Sequence, residues 1–81
     1  MKELAIMGIL VDKREKSAPA VQEVLTRFGD SILSRVGMHD PGEEQNGLIT
    51  LTVRDKTDKI EELNVELMKL DGVHVKSISM K

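Results

Sequence analysis

Eight consecutive residues near the start of the chain, Leu4 to Val11 (LAIMGILV), carry no polar side chain. Read with period two, Leu4, Ile6, Gly8 and Leu10 fall on one side, and Ala5, Met7, Ile9 and Val11 on the other. A strand apolar on both sides lies inside its sheet and is covered twice. The chain has only 81 residues, room for one small domain. A core of that size supplies only about 3–5 kcal/mol. A second copy is therefore expected to help cover the strand, giving a homo-oligomer. The run is broken by Gly8 and is too short to span a bilayer, and the start (MKEL) does not read as a signal peptide.

The rest of the chain orders itself around that strand. Asp12 to Lys16 (DKREK) ends it as a charged loop. Ser17 is placed to cap a helix, with Pro19 in its first turn. Val21, Val24, Leu25 and Phe28 give that helix one apolar stripe, and Gly29 suits a left-handed stop. Asp30 to His39 alternates, with Ile32, Ser34, Val36 and Met38 on one face and Leu33, Arg35, Gly37 and His39 on the other. Asp40 to Gly47 (DPGEEQNG) is turn chemistry, and Leu48 to Arg54 (LITLTVR) is a second hairpin strand. Thr57 or Asp58 is placed to cap a second helix, and Asp58 and Glu61 have capping-box spacing. Its stripe is Ile60, Leu63, Leu67 and Leu70. Gly72 stops it, and Val73 to Met80 forms a last strand.

The order β-α-β-β-α-β predicts an α+β, ferredoxin-like fold. With right-handed crossovers it gives a four-stranded antiparallel sheet, order 4-1-3-2, with both helices on one face. Nothing in the chain covers the other face, which carries apolar residues of the first strand and, from the hairpin, Leu33 and Leu48. A patch of that extent usually marks an interface.

Composition removes several functions. Twelve Lys and Arg against fourteen Asp and Glu give a net charge of −2, with no basic block. Phe28 is the one aromatic residue. Nucleic-acid binding would use clustered positive charge and stacking platforms, so none is expected. There is no Cys, which excludes a thiolate metal site, an iron–sulfur cluster and a Cys nucleophile. No membrane partner is expected, and the protein reads as cytoplasmic. Ser17, Ser31, Ser34, Ser77 and Ser79 lack a nucleophile-elbow context. No Gly-rich phosphate loop is present. No catalytic residue and no cofactor is assigned, and the chain reads as a non-enzyme.

Four segments, LAIMGILVDKRE, RFGDSILSRVGM, GLITLTVRDKTDKI and LDGVHVKSISMK, together resemble one small family. It is the family of iron-only ([FeFe]) hydrogenase system regulators, with an ACT-like ferredoxin fold. The resemblance covers nearly the whole chain and is most specific at Phe28-Gly29-Asp30, Arg35 to Met38 and Leu70 to Ser77. It implies that residues 1–81 form a single ACT-like regulatory domain, oligomeric and ligand-binding, linked to hydrogenase maturation. The fold is also similar to the C-terminal domain of nickel-responsive repressors. Their metal site uses several His and a Cys, whereas this chain has His39, His74 and no Cys. They also carry an N-terminal ribbon-helix-helix, whereas the first core strand here starts by Leu4. Gene regulation would then need a separate DNA-binding partner.

Three residues stand out as candidate ligand contacts. Arg35 lies mid-strand on the face assigned to the open side, where a guanidinium grips an anion bidentately. The plainer reading is an ion pair. Asp12, in the first strand–helix loop where ACT-type domains place ligands, suits a ligand amine, or is a loop charge. Gly8 suits close approach of a ligand or a second backbone, or gives room for a packed helix. His39 and His74 make no metal pattern, so no stoichiometric nickel or zinc site is expected within one chain. Met7, Met38 and Met80 suit a core or an interface, and Glu43-Glu44 reads as a solvated hairpin tip. The functional expectation is a regulatory, oligomerising (dimer or tetramer), small-ligand-binding domain. The alternative is a ligand-free adaptor that recruits a separate enzyme or DNA-binding protein.

Overall fold

The computed structural model describes residues 2–12, 17–39 and 46–80. In chain order these are β1 (Glu3–Val11), α1 (Ala18–Arg27), a 3-10 turn (Gly29–Ser31), β2 (Ile32–His39), β3 (Gly47–Asp55), α2 (Thr57–Met68) and β4 (Val73–Ser79). The strands form one antiparallel sheet in the order β2-β3-β1-β4. Both helices pack on one face, so the fold is the expected βαββαβ. No helix among the described residues is long and apolar enough to cross a membrane. The charged loop at 13–16 and the hairpin tip with Glu43 and Glu44 lie outside the described residues.

The core forms where three strands and two helices turn the same parity inward. Ala5, Met7, Ile9 and Val11 of β1 meet Ile49, Leu51 and Val53 of β3 and Val73 of β4. Val21, Val24, Leu25 and Phe28 close over them from α1, and Ile60, Leu63 and Leu67 from α2. Leu70, read as part of the buried stripe, is half-buried against the cluster. The two helices are also joined outside the core. Arg27 bridges to Glu66 at 3.1 Å, and Lys69 reaches the same carboxylate at 2.9 Å. Lys59 and Arg27 stand 5.4 and 5.8 Å from the centre of the Phe28 ring. Exposed ion pairs contribute little to stability, so the apolar layer holds the helices and these contacts set their alignment.

Three local expectations change. Gly29 does not take a left-handed conformation: Phe28 ends α1, and Gly29 begins the 3-10 turn. Gly72, with φ of 70°, does adopt it. Neither helix is capped by its own side chains. Ser17 stands at the N-cap position of α1, but its hydroxyl donates to the Asp71 carbonyl at 2.7 Å. Thr57 opens α2, and its hydroxyl donates to Glu3 Oε2 at 2.7 Å. Both hydroxyls link distant segments, a use that local spacing does not reveal.

The third change reassigns a whole strand. Ile32 pairs with Val53, but Ser34, not Leu33, pairs with Thr52. Two residues of β2 thus oppose one step of β3, a bulge centred on Leu33. Ile32 turns inward and packs against the core. Beyond the bulge the parity inverts. Ser34, Val36 and Met38 pair with Thr52, Thr50 and Leu48 on the open face, and Arg35 and Gly37 pair with Leu51 and Ile49 on the helix face.

The positive φ at Gly72 gives a first test. An L side chain in that region costs about 1–2 kcal/mol, so Gly72→Ala should lower the unfolding free energy by about that amount in urea titration. Gly29 has open space around its Cα and no such φ. Gly29→Ala should be neutral or stabilising by up to about 1 kcal/mol.

Candidate functional site

The open face of the sheet is a four-strand grid fixed by register. One row is Met38, Leu48, Leu10 and His74, and the next is Val36, Thr50, Gly8 and Lys76. A third is Ser34, Thr52, Ile6 and Ile78. Arg54 and Leu4 pair below it, where the Met80 N–H donates to the Leu4 carbonyl at 2.8 Å. Val36, Met38, Ile78 and Met80 are each more than half exposed, at 64, 55, 66 and 52%. Scattered exposed apolar residues need no explanation, but a contiguous sheet face of them does.

The grid has a low point at Gly8, which has no side chain to stand above the backbone. Gly8, Leu10, Leu48, His74 and Lys76 line a shallow depression of about 260 Å³ there. A Cβ on Gly8 would meet only the Lys76 carbonyl, at 4.0 Å. Gly8 therefore does not make room for a packed helix: it lies on the opposite face of the sheet. Its effect is to leave space above the open face.

The three residues singled out from sequence do not come together. Gly8 is mid-β1 on the open face. Asp12 follows β1, and its backbone N–H donates to the Gly72 carbonyl at 2.9 Å. That bond and the Ser17–Asp71 contact tie Asp12 and Ser17 to the turn before β4. Arg35 is not on the open face. The bulge at Leu33 puts it on the helix side of β2, and its Nη2 donates to Gln22 Oε1 of α1 at 2.5 Å. β3 separates it from β1. His74 lies on the open face beside Leu10, whereas the His39 side chain falls outside the described residues. No group of three His, Asp or Glu gathers among the described residues.

One further polar contact is not legible in the sequence. Ser31 is buried, and its hydroxyl donates to Asp55 Oδ2 at 2.5 Å while Asp55 Oδ1 accepts the Lys56 N–H at 2.8 Å. Ser31 hydrogen bonding, then the Lys56 N–H, hold the Asp55 carboxyl below its ordinary range, against an opposing push from desolvation. These partners join the start of β2 to the end of β3 and fix Ile32 opposite Val53. The only signal in the sequence is a Ser and an Asp 24 positions apart, and spacing of that kind carries no information.

This architecture, with one helix-covered face and one open apolar face, defines an ACT-like βαββαβ domain. The ACT domain of GTP pyrophosphokinase from Chlorobium tepidum superposes with a TM-score of 0.77 at 21% identity, over 96% of this chain and all of that one. The C-terminal domain of the MgtC protein from Mycobacterium tuberculosis superposes at 0.70 with 15% identity, over 95% and 86%. At such identities the likeness is one of fold. The chain belongs to the TM1266-like family, described as "Iron-only hydrogenase system regulator, putative", which matches residues 3–77. The protein TM1266 from Thermotoga maritima is 36% identical over the full length of both chains, with a TM-score of 0.91. Among curated proteins none matches in sequence.

Two tests follow from the site geometry. The folded state holds Asp55 ionised more readily than the unfolded chain does. Its contribution to stability is therefore present above the ordinary value of 3.8 and fades as pH falls below it. Asp55→Asn should lower the melting temperature at neutral pH, and the gap to wild type should close below that value. Arg35 is exposed and its one described contact is to Gln22. Arg35→Ala should shift stability by no more than about 0.5 kcal/mol.

Proposed function

We propose that residues 1–81 act as a single, non-enzymatic regulatory domain of the iron-only hydrogenase system, in the cytoplasm, working as a homo-oligomer through the open sheet face. Family membership supports the regulatory role. The exposed face of Ile6, Val36, Met38, Ile78 and Met80 carries the assembly reading. Four strands about 4.8 Å apart, each rising about 3.3 Å per residue, give that face a projected area on the order of 500 Å². Side-chain relief brings it toward the roughly 800 Å² per partner of a standard interface. The face is therefore large enough for a second copy, and a dimer or a tetramer is the expected state. A small-molecule effector acting on that assembly supplies the regulation.

Light scattering on the purified chain at tens of micromolar should give a dimer or tetramer mass. Ile78→Glu and Val36→Glu place a charge in the apolar layer and should return the mass to a monomer with unchanged far-UV circular dichroism. A monomeric wild type rejects the assembly reading. If the Glu variants keep the wild-type mass but lose a co-purifying protein, the face is an adaptor surface instead. Removing the chain from a host that makes an iron-only hydrogenase tests the system-level role. Unchanged hydrogenase activity and transcript levels would reject that role.

A further inference from the structure

The depression at Gly8 combines features that point to a ligand. Its floor is bare backbone, and its walls are the apolar side chains of Leu10 and Leu48. His74 and Lys76 line its β4 side, almost wholly through apolar atoms; they are two residues apart on β4 and so on the same side of the strand, with Cα atoms about 6.6 Å apart. Neither side chain makes a hydrogen bond or ion pair among the described residues. Lys76 brings an ammonium with three donors, and His74 a ring N–H. The volume, about 260 Å³, lies just under the range of small-molecule sites and suits a compact metabolite rather than a nucleotide. A phosphate without an apolar body would leave the apolar surface of Leu10 and Leu48 uncovered.

The charges of the whole face point the same way. Its three full rows and the Arg54–Leu4 pair below them contain Arg54, His74 and Lys76 and no carboxylate. Among the described residues, Asp12 follows the end of β1. Two copies pressed together on these rows would bring cations into an apolar layer that holds no carboxylate among its described residues. Unpaired charge in such a layer is costly. An anion held at the rim would offset it.

We propose that this depression binds a small organic carboxylate, with its apolar body over Gly8 between Leu10 and Leu48 and its carboxylate between His74 and Lys76. This names the effector class of the regulatory domain proposed above, and its effect on assembly rests on that reading. The pocket itself is complete within one chain.

Calorimetric titration of the full chain with isovalerate tests it. Acetate supplies the charge without the body, and 3-methylbutan-1-ol the body without the charge. Isovalerate should bind saturably, at least tenfold more tightly than either. Lys76→Gln should weaken it at least tenfold. Gly8→Val fills the floor and should abolish binding with far-UV circular dichroism unchanged; where it perturbs the fold, Gly8→Ala should still weaken binding severalfold. Isovalerate binding no tighter than acetate overturns the proposal, as does wild-type affinity in Lys76→Gln. Light scattering with and without isovalerate separates the two readings. A chain that assembles but never saturates with isovalerate retains the assembly and loses the site. A monomer that binds isovalerate, and loses it on Lys76→Gln, retains the site and loses the assembly.

Discussion

Burial of Ala5, Met7, Ile9 and Val11 beneath both helices organises this molecule. β1 runs between β3 and β4, and its inward side chains meet buried residues of both neighbours. Each large apolar side chain fully buried there contributes about 1.5–3 kcal/mol. That is a large share of what a chain of 81 residues can accumulate. Once β1 is fixed with this parity inward, period two sends Leu4, Ile6, Gly8 and Leu10 to the opposite side. Two helices of ten and twelve residues cover one face of a four-stranded sheet and no more. The open apolar face is thus a direct consequence of how the core is made.

The same constraint sets where charge can lie. Acidic and basic residues on the helices meet each other and water, as Glu66 does with Lys69 and Arg27. Those partners, Lys69 first, hold its carboxyl below the ordinary range. On the open face Arg54, His74 and Lys76 stand among Leu, Ile, Val and Met with no carboxylate in the same rows. The assembly and the ligand proposed above therefore fall on one surface.

The β2 strand shows how a single inserted residue redirects chemistry. Ser31 and Asp55 hold the start of the strand, Ile32 takes its place in the core, and Leu33 bulges. Past that point every side chain exchanges faces. Val36 and Met38 join the open apolar surface, whereas Arg35 turns to the helix side and meets Gln22. A strict alternation places Ile32 and Val36 on one face, and the fold needs them on opposite faces.

Element order, strand order, the core parity of β1 and β3 and the stripes of both helices follow from the sequence, because period two and period 3.6 are local properties of a chain. The left-handed Gly72 is legible for the same reason: a Gly closing an apolar helical stripe marks a stop. The family was legible in four short segments. The tertiary structure alone decided the β2 bulge, the face of Arg35, the diversion of the Ser17 and Thr57 hydroxyls to distant segments and the Ser31–Asp55 bond. It also decided that Gly8, Leu10, Leu48, His74 and Lys76 line one depression. Those five residues come from three strands, and only the hydrogen-bond register between strands sets which side chains become neighbours.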